Sequence, residues 1–293
     1  MRISTKMQTE QRVALVIGNN NYQGDRLPKL INPINDAMAI KNILEHKGFD
    51  VIYQEDGGIR EMRKVLSTFY KKIAKGGVGF FYFSGHGIEV EGQNYIIPID
   101  AKIEEKSDTE YEAIALGKIT KRMQNAKNRL NIVVLDACRN DPFSRSAGTG
   151  GLAKTEPIGL FVSFSTGAGS VASDGKSGEN GLFTKSLIKH MQQELDLQDV
   201  FQKTREEVYD NSNQKQFPAI YNQTIRGKFF FTLPTSSPKE AESSQKSVQQ
   251  SEVPKKVDYN TQSQAKSISK SSSNLTFKEQ MDDDFDSFMK DME

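Results

Sequence analysis

The chain has little cysteine: Cys138 stands alone in 293 residues. One cysteine excludes an internal disulfide, and the simplest setting for such a chain is a reducing compartment. Long apolar stretches are also missing. No segment approaches the length of a membrane span, and the opening MRISTKMQTEQ lacks the apolar core of a secretory signal. The expectation is a soluble, cytoplasmic protein. An excess of charge of either sign is absent as well: the formal net charge is +1, and no basic run interleaved with aromatics suggests a nucleic-acid footprint.

Composition shifts near Leu233-Pro234. Beyond it, residues 235–274 are rich in Ser, Gln and Lys and nearly devoid of aliphatic side chains, which predicts a disordered linker. The globular part is then residues 12–234. Within it, RVALVIGN (12–19), FDVIYQ (49–54), VGFFYFSG (78–85), LNIVVLDA (130–137) and IGLFVSFS (158–165) read as strands buried on both faces. Between them, Ile59, Met62, Val65, Leu66, Phe69, Tyr70 and Ile73 fall at helical spacing, and Phe183, Leu187, Met191 and Leu195 step by four. Strand and helix in alternation predict an α/β fold with a mostly parallel sheet and helices on both faces. Function in such sheets gathers at the carboxyl ends of the strands. Residues 86–100 read instead as a small hairpin, turning at Glu91-Gly92 or Gly92-Gln93.

Two strand ends carry reactive side chains. FFYF runs into Ser84-Gly85-His86-Gly87, and IVVL runs into Asp136-Ala137-Cys138-Arg139. A free cysteine is commonly just a small buried hydrophobe. Beside an imidazole it becomes a candidate nucleophile, because an imidazolium lowers a thiol pKa that otherwise lies near about 8.5. Glycines around His86 let a substrate backbone approach, and the amides of Gly87 and Cys138 are candidates for an oxyanion hole. SGHG lacks the lysine of a phosphate-binding loop.

SGHG followed by DAC resembles the caspase-like cysteine peptidases, and ALVIGNNNY, INDAMAIKNIL, NYIIPID and NGLFT agree with their metacaspase- and paracaspase-like, bacterial-type branch. The resemblance covers about residues 12–233 and implies a three-layer α/β/α sandwich of the caspase-haemoglobinase type, with a sheet of about six strands. It divides the domain into a large part (about 12–140), a linker (139–157) and a small part (158–234). It implies endopeptidase activity through a dyad of Cys138 and His86, with no third member required.

Caspases carry Gln two residues before the cysteine; this chain has Asp136 there. Metacaspases and paracaspases are similar to it in that respect, and the resemblance implies an S1 pocket for Arg or Lys lined by Asp36, Ser84 and Asp136, with Asp174 as a third acid. A pair of carboxylates attracts a cationic side chain and repels an acidic one. Ser163 to Ser165 are expected to offer edge-strand hydrogen bonds to an extended substrate. The linker's Arg145 and Lys154 are candidate self-cleavage sites. No cofactor is required for this chemistry and no metal site is expected. Asp108, Glu110 and Glu112 are scattered, and Gln93 and Asn94 stand where a calcium ligand of some relatives falls, so calcium activation is compatible with the resemblance but not predicted.

Blander readings remain beside these. Asp136 is also placed to cap a turn or helix; His46 and His190, among charged neighbours, read as surface residues; Asp25, Asp100 and Asp141 read as turn residues. Near the end, Thr276 and Glu279 form a capping box, and Phe277, Met281, Phe285, Phe288, Met289 and Met292 recur at helical spacing. Residues 275–293 thus read as a short acidic amphipathic helix, fit for a protein groove and ill-suited to an anionic membrane. A second functional reading follows: a non-catalytic interaction module of the same fold working through that helix.

Overall fold

The apolar runs become the core strands of one sheet. In the computed structural model, which describes residues 9–24, 26–126, 128–137, 159–166, 178–224 and 228–234, they are β1 (Arg12–Gly18), β2 (Asp50–Glu55), β3 (Val78–Gly85), β7 (Leu130–Ala137) and β8 (Leu160–Phe164). With β9 (Ala219–Asn222) they form a six-stranded sheet in the order β2-β1-β3-β7-β8-β9. The first five run parallel, and β9 closes the series antiparallel to β8.

Side chains alternate across this sheet and so build two cores. Ala14, Val16, Phe80, Tyr82, Ile132, Val134 and Phe161 face one layer of helices. These are α1 (Pro33–His46), α5 (Leu182–Met191) and α6 (Leu197–Asn211), which contribute Ile40, Leu44, Phe183, Leu187, Met191 and Phe201. Val13, Leu15, Ile17, Phe81, Phe83, Val133, Leu135 and Phe164 face the other layer, α2 (Ile59–Ile73) and α4 (Leu116–Asn125). The result is the three-layer α/β/α sandwich. Helix α5 stops at Met191, so Leu195 packs against the first core from the turn that follows.

A smaller sheet sits on the loops: β4 (Gly87–Val90), β5 (Gln93–Ile96) and β6 (Ile114–Ala115), the last preceded by the single-turn α3 (Thr109–Glu112). The hairpin turns at Glu91-Gly92, both at positive φ (51° and 74°), which matches the twist of the flanking strands. Its inner face joins Tyr22, Ile97, Ala101 and Ile103 in a third apolar cluster.

Two details hold α1 and α2 against the strand ends. Gly18 closes β1 where an added Cβ would meet Pro33 O at 2.6 Å and Ala37 Cβ at 2.7 Å, so only glycine lets α1 lie this close. The start of α1 is capped from a distance, Asn20 Oδ1 accepting from Ile34 N at 2.9 Å. Asp100 is the turn residue expected of it and also accepts from Ile59 N, at the start of α2, at 2.8 Å. Among the described residues, no helix is long and apolar enough to cross a membrane.

Candidate active site

His86 leaves the carboxyl end of β3, held on two sides. Its Nε2 lies 2.8 Å from Pro28 O. A carbonyl only accepts, so Nε2 carries the hydrogen, and in the neutral ring Nδ1 is the basic nitrogen. Its backbone N–H donates to Tyr22 Oη at 2.7 Å; that hydroxyl donates to Ile97 O at 3.2 Å. The Tyr22 ring meets the imidazole edge-on, centroids 4.4 Å apart. Burial pushes the Tyr22 hydroxyl well above its ordinary pKa, so it stays a neutral donor. Gly85 makes this contact possible, since a Cβ there would meet Tyr22 Oη at 2.5 Å.

The loop carrying Tyr22 is itself tied down. Asp56 accepts from the amides of Asn20 and Asn21 at 2.8 and 2.9 Å, and these bonds hold its carboxyl below the usual range against the opposing effect of its partial burial. Buried Asn19 accepts from Gly57 N at 3.0 Å and donates to Ile97 O at 3.1 Å. These four residues read NNNY in the sequence, and each serves a bond that keeps the histidine's support in place.

Ser84 and Asp136 are register partners on adjacent strands, and so are Gly85 and Ala137. Gly85 and Ala137 immediately precede His86 and Cys138 in the chain. Adjacent parallel strands run about 4.8 Å apart, so β3 and β7 end side by side at Gly85 and Ala137. Cys138 lies outside the described residues, as do Asp174, Arg145, Lys154, Asp25, Asp141 and the segment 275–293. The amide of Gly87 opens β4. Because Ile97 N donates to His86 O at 3.0 Å, the antiparallel alternation makes Gly87 and Ile96 a non-hydrogen-bonded pair, and the Gly87 N–H turns away from β5.

The acids expected in the pocket gather one position further back. Asp36, in the first turn of α1, is 4% exposed and accepts from Gly181 N at 2.9 Å. Asp136 Oδ2 accepts from the Thr184 hydroxyl at 2.7 Å, and Thr184 Oγ1 lies 2.6 Å from Tyr82 Oη. Ser84, 2% exposed, also reaches the Tyr82 hydroxyl. Tyr82 reports the electrostatics of this spot: burial raises its pKa first, and the fields of Asp136 and Asp36 raise it further. Asp36, Ser84 and Asp136 therefore share one region of negative potential beneath the strand ends.

A family model for the caspase domain matches residues 11–230. The chain belongs to the caspase domain family. Among curated proteins, this caspase domain is 35% identical over 130 residues to mucosa-associated lymphoid tissue lymphoma translocation protein 1 of Homo sapiens, covering 44% of the chain. The Mus musculus homolog is 33% identical over the same length. Caspase-1 of Rattus norvegicus is 24% identical over 248 residues, 77% of the chain and 60% of that protein. The chain spans 15% of the human and mouse relatives it matches. This membership places it in a family of cysteine peptidases.

Two expectations are corrected within this caspase domain. His190 is not on the surface: it is 7% exposed, its Nε2 2.7 Å from Glu207 on α6 and its Nδ1 3.2 Å from Gln193. Charged sequence neighbours hid this, because the partner comes from the next helix. His46 is exposed, as expected. The second correction concerns Ser163 to Ser165. They do not offer a strand edge, because β9 pairs Ser163 with Ile220 and Phe164 with Ala219. Ser165 N donates to Leu135 O, and Ser165 O accepts from Gln216 Nε2 at 2.9 Å.

Among the described residues, no group of three or more His, Cys, Asp or Glu is placed to hold a metal ion. Asp108 accepts instead from the amides of Glu104 and Glu105, and Glu112 from Lys102 N. Sequence reasoning missed Tyr22, Pro28, Gly181 and Thr184. Their signals in the sequence are the Tyr of ALVIGNNNY and the NGLFT stretch, neither of which indicates a role locally.

Proposed function

We propose that this caspase domain is a cysteine endopeptidase that cuts peptide bonds after arginine or lysine. The observation that carries the reading is the register of β3 and β7, which end in step immediately before His86 and Cys138. The Cys138 thiolate attacks the carbonyl carbon of the scissile bond, and the Gly87 and Cys138 amides receive the oxyanion. His86 first takes the thiol proton on Nδ1, leaving Nε2–H on the Pro28 carbonyl, and then returns a proton to the leaving amine. Water cleaves the resulting thioester, releasing the carboxylate product and the thiol.

The negative region made by Asp36 and Asp136, with Ser84 beside them, supports the choice of a basic P1 residue, with Asp174 as a further acid. Guanidinium and ammonium groups gain charge-assisted hydrogen bonds there, whereas an aspartate would meet like charge. Self-cleavage at Arg145 or Lys154, substrates of protein nature and a partner for helix 277–292 belong to the same reading. No step calls for a metal.

The test uses fluorogenic peptides ending in Arg, Lys or Asp, with wild type and Cys138→Ala, with and without calcium. Turnover of the Arg and Lys peptides that Cys138→Ala abolishes is expected. Cleavage after Asp would overturn the pocket assignment, and no cysteine-dependent turnover in any condition would favour the interaction-module reading.

A further inference from the structure

The NGLFT stretch at 180–184 forms the turn that starts α5, and this turn touches both acids of the proposed pocket. Gly181, immediately before the helix, donates its N–H to Asp36 Oδ1 at 2.9 Å. Three residues later, the Thr184 hydroxyl donates to Asp136 Oδ2 at 2.7 Å. The acids come from α1 and β7, so one helical turn in the small part of the domain joins two elements of the large part.

The direction of the next bond follows from counting hydrogens. A threonine hydroxyl has one proton, and here it goes to the carboxylate. The 2.6 Å contact between Thr184 Oγ1 and Tyr82 Oη is therefore donated by Tyr82. A chain runs Tyr82 to Thr184 to Asp136, ending on the charge. Tyr82 and Thr184 are both fully buried, so water does not replace either hydroxyl. Bonds donated to a carboxylate favour its ionised form and fix its rotation, and the amino end of α5 adds partial positive charge on the same side.

We propose that the NGLFT turn is the clamp that sets P1 specificity, with Thr184 as the positioning residue of Asp136 and the Gly181 amide as that of Asp36. Neither group contacts the substrate in this scheme. Both hold the carboxylates in the orientation a basic side chain meets, so binding needs no reorganisation of the pocket. The proposal rests on the reading of the chain as an Arg/Lys-directed cysteine peptidase.

The experiment compares full-length wild type, Thr184→Val, Thr184→Ser and Tyr82→Phe. Each is assayed for kcat and KM on a peptide ending in Arg and on its citrulline counterpart, a neutral isostere. Alkylation of Cys138 by iodoacetamide is followed in parallel. Thr184→Val is expected to raise KM for the Arg peptide by about tenfold and to narrow the Arg-over-citrulline ratio equally, with kcat and the alkylation rate within about twofold of wild type. Thr184→Ser, which keeps the hydroxyl, restores the ratio. Tyr82→Phe narrows it by about threefold.

An unchanged ratio in Thr184→Val overturns the clamp, as does equal impairment of Thr184→Val and Thr184→Ser, which marks a packing effect. Should Thr184→Val not fold, Tyr82→Phe against Thr184→Ser decides, an unchanged ratio in Tyr82→Phe again being the overturning result. Wild type that shows no Cys138-dependent cleavage, or no preference for Arg over citrulline, overturns the peptidase reading itself and the clamp with it.

Discussion

The two faces of the central sheet bring the same strands to the same edge and finish them in opposite ways. Toward α2 and α4, the last large side chains are Ile17, Phe83, Leu135 and Phe164, all buried among other apolar groups. Toward α1 and α5, one residue along, they are Ser84 and Asp136, met by Asp36 and Thr184. A shift of one residue separates a wall from a site, because side chains alternate with a period of two. The apolar face fixes the level at which β3 and β7 end. The polar face can then hold carboxylates under cover, because donors from α5 meet them.

The comparison breaks most severely on the apolar side. Phe83→Ala removes a fully buried ring and is expected to cost about 3–5 kcal/mol of stability in urea denaturation. The molecules that remain folded should keep the preference for a basic P1 residue proposed above. Asp136→Asn tests the other face: kcat/KM on the Arg peptide should fall about a hundredfold with little change in melting temperature. A large loss of stability instead would mean that Asp136 serves the fold and not the pocket.

Smaller effects sharpen the contrast. Tyr22→Phe takes away the acceptor of the His86 amide and should cost about 1–2 kcal/mol. With the histidine less firmly held, kcat should drop roughly fivefold while KM stays level; equal changes in both would point to a substrate contact.

The smallest effect is expected far from the strand ends, at Glu207. Partial burial pushes its carboxyl up, but the hydrogen bonds from Lys189 and His190 outweigh that and hold it below its ordinary value. A depressed carboxylate stabilises the fold above its unfolded pKa, and the contribution disappears as pH falls through the folded value. Wild type should therefore exceed Glu207→Gln by about 0.5 kcal/mol near pH 5, and the gap should close below about pH 4. A gap that widens on acidification would reverse the sign of this coupling.

The sheet was legible because near-continuous apolar runs such as VGFFYFSG leave few alternatives to a strand covered on both faces. One helix of each layer, α2 and α5, followed from its spacing, and the family from SGHG, DAC and their companions. Ser84, Asp36 and Asp136 were named in advance, and the fold does gather them. What escaped sequence reasoning depends on distant pairing. Gly181 meets Asp36 across 145 residues, and Tyr22 meets His86 across 64. No local pattern encodes either separation. His190 was misjudged for the same reason, since Glu207 lies on another helix. The strand edge at Ser163 was misjudged because AIYN, short and half exposed, gives a faint signal for β9.

The oxygen that holds His86 belongs to the main chain of Pro28. Every codon at that position specifies a residue with the same carbonyl, so no missense change there deletes the acceptor outright. Only a rerouted backbone could do that. The tautomer of the histidine is in this respect sheltered from point mutation, whereas Asp36 and Asp136, the acids of the proposed P1 pocket, are each one base change from loss. On the proposed function, what is cut can drift more readily than the ability to cut.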